Sequence, residues 1–215
     1  MTTRIVPDDA AGRAEAVAVL RAGGIVALPT DTVYGLAADL ADPEAIERLF
    51  AAKQRPGDRA VVLLLAEAGQ AAGLASWPPS AEALAAVFWP GALTLVVNQR
   101  PETRLPSELT GGRPTVGVRV PDHPSPRAIA AALGPVPVTS ANVSGLPEAS
   151  DATEIRDQLG AAIDLILDGG AARGGTPSTV VDCSGAVPRI LRVGAIPNAA
   201  IERRLQSAGL AGLER

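Results

Sequence analysis

Lysine, cysteine and histidine are nearly absent from this sequence. Each occurs once among the 215 residues, as Lys53, Cys183 and His123. A single cysteine cannot form an internal disulfide, and one cysteine with one histidine cannot supply the ligand set of a zinc site. A metal ion would therefore have to be bound by oxygen atoms or by a bound phosphate.

The single lysine also excludes one common type of ATP site. A P-loop needs Lys followed by Ser or Thr, whereas Lys53 precedes Gln54. A P-loop ATP site is thus excluded, and Lys53 is the only residue that could form a Schiff base or act as a catalytic ammonium.

Aromatic residues are scarce as well, at 2% of the sequence, and the net charge is −4. Nucleic-acid binding needs clustered Lys and Arg, and single-stranded RNA binders commonly stack bases on aromatic side chains. Composition therefore argues against a surface built to bind nucleic acid, although a local basic pocket is compatible with it.

Long apolar runs are also missing. None approaches the roughly 20 residues that cross a bilayer, and acidic Asp8 and Asp9 stand where a signal peptide would continue apolar. We expect a cytoplasmic protein with no membrane partner. With 47% apolar residues the chain can bury one core. We expect one domain over residues 1–215, with a core at about 10–195 and a helical tail at 196–215.

Runs of Val, Ile and Leu alternate with Ala-rich helical patterns, which predicts an α/β or mixed α/β sheet. Predicted helices cover residues 9–22, 43–53, 80–89, 125–133 and 198–206. Predicted strands cover residues 25–28, 60–66, 92–98, 115–120, 136–139, 163–167, 179–183 and 189–193.

Polar segments interrupt this pattern where strands or helices end, the positions at which α/β folds bind ligands. Residues 29–36 form either a plain turn or a rim of hydroxyls that faces a cavity. Residues 53–59 carry three cations, which either cap a helix C-terminus or bind a triphosphate.

Two further segments are also compatible with either a structural role or a ligand-binding role. In residues 116–121, Arg119 interrupts a strand pattern and either faces water or receives a carboxylate. In residues 137–145, a strand leads into Ser140 and Asn142, which either cap a turn or face a ligand.

Taken together and in this order, the segments resemble the YrdC-type threonylcarbamoyl-AMP synthase family. The resemblance spans about residues 20–195. It rests on PTDTVYGL at 29–36, KQRP at 53–56, WPGALT at 89–94, VGVRVPDHP at 116–124, TSANVSG at 139–145, DGG at 168–170, PSTVVD at 177–182 and LRVG at 191–194.

The resemblance implies a YrdC-like fold, which is a twisted, open, mixed sheet flanked by helices, with a deep, positively lined cavity. It implies a catalytic tetrad of Lys53, Arg55, Ser140 and Asn142. It implies that ATP contacts Arg55, Arg59, Thr115, Ser140, Glu148 and Arg192, and that threonine contacts Thr32, Arg119, Val138 and Ser178. It implies no metal ligand from the protein itself.

The implied activity is that of L-threonylcarbamoyladenylate synthase, a nucleotidyltransferase. It converts L-threonine, bicarbonate and ATP with Mg2+ into threonylcarbamoyl-AMP and pyrophosphate, for threonylcarbamoyladenosine modification of tRNA next to the anticodon. A downstream tRNA threonylcarbamoyl transferase would use the product, so tRNA binding by this chain is expected to be weak or indirect. The chain resembles the short form of the family, without an extra C-terminal domain.

Two alternatives remain open at this point. The first is an RNA-binding or ribosome-assembly module of the same fold, which the composition disfavours. The second is a carbamoyl-transfer domain like those inside hydrogenase-maturation proteins, which is weaker because the sequence contains no zinc-binding or acylphosphatase-like segment.

One assay separates these hypotheses. We expect the protein, incubated with ATP, Mg2+ and bicarbonate, to release pyrophosphate with threonine and much less with each other amino acid. Omitting bicarbonate should abolish the signal. No pyrophosphate release, together with an affinity for tRNA that falls steeply with salt, would favour the RNA-binding module.

Overall fold

The structure is a computed structural model and describes residues 3–53, 61–172 and 174–214. Its strands are β1 Arg4–Pro7, β2 Val26–Leu28, β3 Gly35–Ala37, β4 Val62–Leu64, β5 Leu93–Asn98, β6 Thr115–Arg119, β7 Val136–Ser140, β8 Leu165–Asp168, β9 Thr179–Asp182 and β10 Arg189–Arg192. Its α-helices are α1 Ala10–Arg21, α2 Pro43–Ala52, α3 Pro79–Phe88, α4 Ser107–Thr110, α5 Pro124–Leu133, α6 Ala152–Leu159 and α7 Asn198–Ser207.

The strands in the described part of the chain form one mixed, ten-stranded sheet in the order β1-β8-β2-β3-β7-β4-β6-β5-β9-β10. Strand β7 lies near its centre and pairs antiparallel with both β3 and β4. The pairs β1/β8, β2/β8, β4/β6 and β5/β9 are parallel. The sheet is open, with β1 and β10 at its edges, so the predicted mixed, open α/β sheet is confirmed.

Helices cover both faces of this sheet because successive strand residues point to opposite sides. In β2, Val26 and Leu28 pack into an apolar cluster with Leu20 of α1 and Ile129 of α5. Ala27, between them, faces a different cluster that contains residues of α2 and α6. A further cluster joins β4, β5 and β6 to α3 and α7. Burial on both faces explains why the central strands are apolar at consecutive positions.

Each predicted helix is present within one residue at either end, and each predicted strand within two. The prediction missed β1, β3, α4 and α6. Strand β3 was missed because it is three residues long and follows a polar run that was interpreted as a turn or rim. Among the described residues, no helix is long and apolar enough to cross a membrane.

Helix α2 leads directly to Lys53, and its start is well defined. The Asp42 carboxylate accepts hydrogen bonds from the backbone N–H of Glu44 (3.0 Å) and of Ala45 (3.2 Å), and Pro43 occupies the first helical position. Its apolar face buries Ile46 and Leu49 against the sheet. The C-terminal end of the helix, and with it Lys53, is thereby fixed relative to the central strands.

This cap can be tested by substitution. Asp42→Ala removes the acceptor for two backbone N–H groups, and we expect it to lower the free energy of unfolding by about 1 kcal/mol. Asp42→Asn keeps an acceptor oxygen and should cost much less. Urea unfolding measures both variants, and equal losses in the two would contradict a capping role.

Candidate functional site

A cavity of about 150 Å3 opens at the middle of the sheet. Its walls come from the loop between β2 and β3, from β4, β5 and β7, from the ends of β6 and β10, and from the segments that precede α6 and β9. The described residues that line it are Thr30, Thr32, Val33, Tyr34, Gly35, Val61, Val62, Leu64, Thr94, Arg119, Val138, Thr139, Ser140, Glu148, Pro177, Ser178 and Arg192. Hydroxyls, two arginines and one carboxylate therefore share the lining with apolar side chains, as is common in small-molecule sites.

Sheet register brings the polar segments to this cavity. Gly35, the first residue of β3, pairs with Ser140, the last residue of β7. A Cβ atom on Gly35 would lie 2.4 Å from Cγ1 of Val138, so only glycine allows β3 to lie this close to the cavity wall. Strand β3, which follows the polar run, and strand β7, which ends at Ser140, are thus neighbours in the sheet.

Arg119 crosses the cavity wall in a buried position, 5% exposed. Its Nε donates to the carbonyl of Gly91 (2.9 Å), its Nη1 to Oγ1 of Thr32 (3.0 Å) and its Nη2 to Oδ1 of Asp31 (2.6 Å). Burial lowers the pKa of Arg119, and the Asp31 carboxylate opposes this shift. The guanidinium is therefore held rigidly and charged.

A guanidinium carries five N–H groups, and these contacts use three of the five. One hydrogen remains on each terminal nitrogen of Arg119 once the contacts to Thr32 and Asp31 are made. Two N–H groups on adjacent nitrogens are the arrangement that binds a carboxylate in bidentate fashion. Arg119 therefore retains two N–H donors for an anionic ligand while its other contacts stay intact.

A second polar group surrounds Ser178. Arg192 donates from Nε and Nη2 to the carbonyl of Ser178 (3.1 and 2.9 Å) and from Nη2 to its Oγ (3.0 Å). Oγ1 of Thr94 lies 2.8 Å from the same Oγ. Partial burial of the guanidinium lowers the pKa of Arg192, and the Glu148 carboxylate counteracts this. A Cβ on Gly194 would lie 2.3 Å from the carbonyl oxygen of Pro177, so the segment after β10 can pack against Ser178 only as glycine.

Lys53 lies behind the cavity wall and is 2% exposed. Its ammonium donates to both the carbonyl and Oγ (3.3 Å) of Ser140, and to both the carbonyl (2.8 Å) and Oδ1 (3.2 Å) of Asn142. The Asn142 amide in turn donates to the carbonyls of Val143 (3.1 Å) and Leu146 (2.7 Å). Lys53 and Asn142 thus fold the segment after β7 into a fixed loop.

The structure can be compared with the predicted site residue by residue. It brings Lys53, Ser140 and Asn142 together, and of these three Ser140 is among the described residues that line the cavity. The residues predicted for threonine, and three of those predicted for ATP, line the cavity, namely Thr32, Arg119, Val138, Ser178, Ser140, Glu148 and Arg192. Thr115 begins β6, whereas the cavity meets the opposite end of that strand, and Thr115 is not among the described lining residues.

Arg55 and Arg59 lie outside the described residues, so their proximity to the cavity stays a prediction. The same holds for the positive character predicted for the cavity, because its described lining contains Arg119, Arg192 and the acidic Glu148.

Several residues with polar roles at the site were not singled out from the sequence. Thr30 accepts from the backbone N–H of Thr32 (3.1 Å), and Tyr34 donates to the carbonyl of Gly170 (2.7 Å). Burial raises the pKa of Tyr34, which keeps its hydroxyl protonated as a donor. Thr94 and Asp31 complete the group. All four residues lie inside the motifs quoted for residues 29–36 and 89–94. Membership of those motifs is the sequence signal that could have identified them.

The described residues contain no group of three or more His, Cys, Asp or Glu that could hold a metal ion. Glu148 is the acidic member of the described cavity lining. Since Mg2+ is commonly bound by one or two carboxylates together with substrate phosphates, this donor set fits a magnesium ion that arrives with a nucleotide.

The chain is an α/β protein whose mixed sheet carries a cavity lined by arginines and hydroxyls. Residues 18–194 match the model of the Sua5/YciO/YrdC family, which is described as "Telomere recombination". The chain belongs to the Sua5/YciO/YrdC family.

Relatives and solved structures agree with this assignment. A Mycobacterium tuberculosis relative is 42% identical over 186 residues, 86% of this chain and 85% of the relative. Bacillus subtilis threonylcarbamoyl-AMP synthase is 39% identical over 191 residues, 88% of this chain and 55% of that protein. Pyrococcus abyssi Sua5 complexed with L-threonine has a TM-score of 0.88 at 36% identity, covering 99% of this chain and 62% of that one. The chain thus spans little more than half of these two longer relatives.

The Arg119–Asp31 pair yields a prediction about stability. Asp31→Asn keeps the shape and a neutral acceptor but leaves the buried Arg119 charge without its carboxylate. Breaking a buried ion pair costs about 3 kcal/mol, and we expect a loss of that order in the free energy of unfolding. Asp157→Asn is the matched control, because the Arg156–Asp157 pair is exposed (50% and 67%) and 3.5 Å long.

Urea unfolding at one salt concentration measures both variants. The control should change stability by less than about 1 kcal/mol, as expected for an exposed pair. If Asp31→Asn were as mild as the control, the carboxylate would not be what compensates the Arg119 charge.

Proposed function

We propose that this protein is an L-threonylcarbamoyladenylate synthase, a nucleotidyltransferase that forms threonylcarbamoyl-AMP and pyrophosphate from L-threonine, bicarbonate and ATP. One observation carries the proposal. Thr32, Arg119 and Ser178, taken from three separate motifs of a family with named threonylcarbamoyl-AMP synthases, line a single cavity together with Val138. Pyrococcus abyssi Sua5, a structural neighbour at 36% identity, has been solved with L-threonine.

In this proposal the threonine carboxylate binds Arg119. The guanidinium has one N–H to spare on each terminal nitrogen, beside the hydroxyls of Thr32 and Ser178. Val138 supplies an apolar surface for the threonine methyl group. A pocket that hydrogen-bonds a substrate hydroxyl discriminates strongly against analogues without it, which favours threonine over valine.

ATP binds from the side of Ser140, Glu148 and Arg192, with Arg55, Arg59 and Thr115 as further predicted contacts. Support comes from the placement of Ser140, Glu148 and Arg192 in the same cavity lining as the residues proposed for threonine. Two substrates that share one cavity can react directly, since positioning replaces a bimolecular encounter by an intramolecular step.

The chemistry proceeds through two bond-forming steps. The threonine amine, once deprotonated, adds to CO2 derived from bicarbonate and gives a carbamate, and the proton that the nitrogen loses combines with the hydroxide released from bicarbonate to form water. A carbamate oxygen then attacks the α-phosphorus of ATP, the bond from that phosphorus to the bridging oxygen breaks, and pyrophosphate leaves. The carbamate, ATP and pyrophosphate are all anionic, so the protein's contribution is to hold them together and to stabilise negative charge with fixed cations and N–H donors.

Magnesium enters this scheme as part of the nucleotide substrate. When bound, the ion neutralises phosphate charge and supports the departure of pyrophosphate. Glu148 is the described cavity residue whose carboxylate could contact it. The protein's own tasks are separate: Lys53 fixes Ser140 and Asn142, and Arg119 and Arg192 supply positive charge to the cavity.

The product is a mixed anhydride, which is an activated acyl donor. We propose that it is passed to a downstream transferase that places the threonylcarbamoyl group on tRNA next to the anticodon, in the cytoplasm. Direct tRNA binding by this chain is expected to be weak, since the net charge of −4 opposes contact with phosphates.

Lys53→Met tests the proposal at the tetrad. Methionine roughly matches the length of the lysine side chain but removes the charge that orders Ser140 and Asn142. We expect pyrophosphate release dependent on threonine and bicarbonate to fall about a hundredfold, the usual loss when one charge-stabilising contact is removed. Arg156→Met, at a half-exposed arginine on α6, is the matched control and should leave the rate unchanged.

Circular dichroism and urea unfolding establish whether the Lys53 variant is folded at the assay temperature. A folded variant with near-normal turnover would remove Lys53 from the mechanism. Ser140→Ala, which removes one hydroxyl and leaves the backbone carbonyl, provides a milder second variant.

A further inference from the structure

Thr94 carries no assigned role, yet its hydroxyl is placed where it can act on the site. It lies on β5, lines the cavity and is 1% exposed. Its Oγ1 is 2.8 Å from Oγ of Ser178, which is 4% exposed. Thr94 lies in β5 and Ser178 directly precedes β9, and these two strands pair in parallel, with Leu93 opposite Thr179 and Thr94 opposite Val180. The contact is thus fixed by sheet register.

The hydrogen-bond count of this pair determines what it offers a ligand. Two hydroxyls have two hydrogens, and one of them is used between Thr94 and Ser178. Arg192 donates to Ser178 Oγ and so occupies one of its lone pairs without taking a hydrogen. One hydroxyl hydrogen therefore remains, on whichever of the two residues does not donate to the other, and both residues face the cavity.

One of the two possible donors in the hydrogen bond between Thr94 and Ser178 is preferred. If Thr94 donates, Ser178 receives hydrogen bonds from both Thr94 and Arg192, which fills its two acceptor positions and leaves its hydrogen free for a ligand oxygen. A buried hydroxyl without such a partner is costly, so the arrangement favours an anionic or carbonyl oxygen at that point.

We propose that Thr94 is a positioning residue, which orients the Ser178 hydroxyl so that its hydrogen points at an oxygen of bound threonine or of the carbamate formed from it. The inference rests on the proposed function, since it assigns threonine to this side of the cavity. Thr94 acts through Ser178. Arg192 stays in place without Thr94, because it also donates twice to the Ser178 carbonyl.

The test compares two substitutions at position 94. Thr94→Val keeps the branched shape and removes the hydroxyl, whereas Thr94→Ser keeps the hydroxyl and removes the methyl group. We expect Thr94→Val to raise the KM for threonine about 5- to 10-fold, the scale of one hydrogen bond, with the KM for ATP changed less than about twofold. Thr94→Ser should restore the KM for threonine to near the wild-type value.

A double-mutant cycle with Ser178→Ala distinguishes positioning from packing. Because Thr94 acts through the Ser178 hydroxyl, Thr94→Val should add no further loss in the Ser178→Ala background. Additive losses, equal effects of the Val and Ser variants, or an unchanged KM for threonine in Thr94→Val would each overturn the proposal. Urea unfolding of each variant confirms that the comparison is made on folded protein.

Failure of this inference is distinguishable from failure of the proposed function. If the wild-type protein releases no pyrophosphate with threonine, the function itself is wrong. A thermal shift of the wild-type protein and of Thr94→Val by threonine alone then gives a readout independent of turnover. A shift of the same size in both proteins would count against Thr94, and a shift lost in Thr94→Val and regained in Thr94→Ser would support it.

Discussion

The buried ammonium of Lys53 fixes the geometry on which the candidate site depends. It offers three N–H donors to four oxygens, two from Ser140 and two from Asn142, so each donor is used within a few ångströms of the cavity wall. Hydrogen bonds from a charged donor contribute about 1.5–3 kcal/mol each, more than neutral ones. A contact between residues almost ninety positions apart therefore determines how the chain leaves β7, and with it where Ser140 meets the cavity.

The cavity wall that carries Arg119 and Arg192 is held in place by the compensation of charges. There, Arg119 is compensated by the Asp31 carboxylate and by two neutral acceptors, while Arg192 lies near Glu148. A buried charge needs such partners to stay ionised, and these partners do not exhaust the donors of Arg119. The site thus combines rigidity with unused N–H groups, which is the condition for preorganised binding of an anion.

The sequence predicted the elements well and the long-range contacts only through the family resemblance. Helix α2 was predictable because Asp42 and Pro43 mark its start and an apolar face follows. The pairing of Asp31 with Arg119 was not, since Asp31 reads locally as a turn residue and its partner is set by the register of β6 against β4. The sequence pattern alone left open whether Arg119 faces solvent or the cavity. Only the order of the strands in the sheet decides between the two.

The length of a strand also limits which of its predicted site residues can contact the same ligand. Thr115 and Arg119 are the first and last residues of β6, and a strand rises about 3.3 Å per residue, so they lie more than 10 Å apart. Two predicted site residues of one strand therefore need not contact the same ligand atom. If ATP reaches Thr115 as well as Ser140, it must extend along β4 and β7, away from Arg119, which is the direction expected when the carboxylate of threonine occupies the Arg119 end.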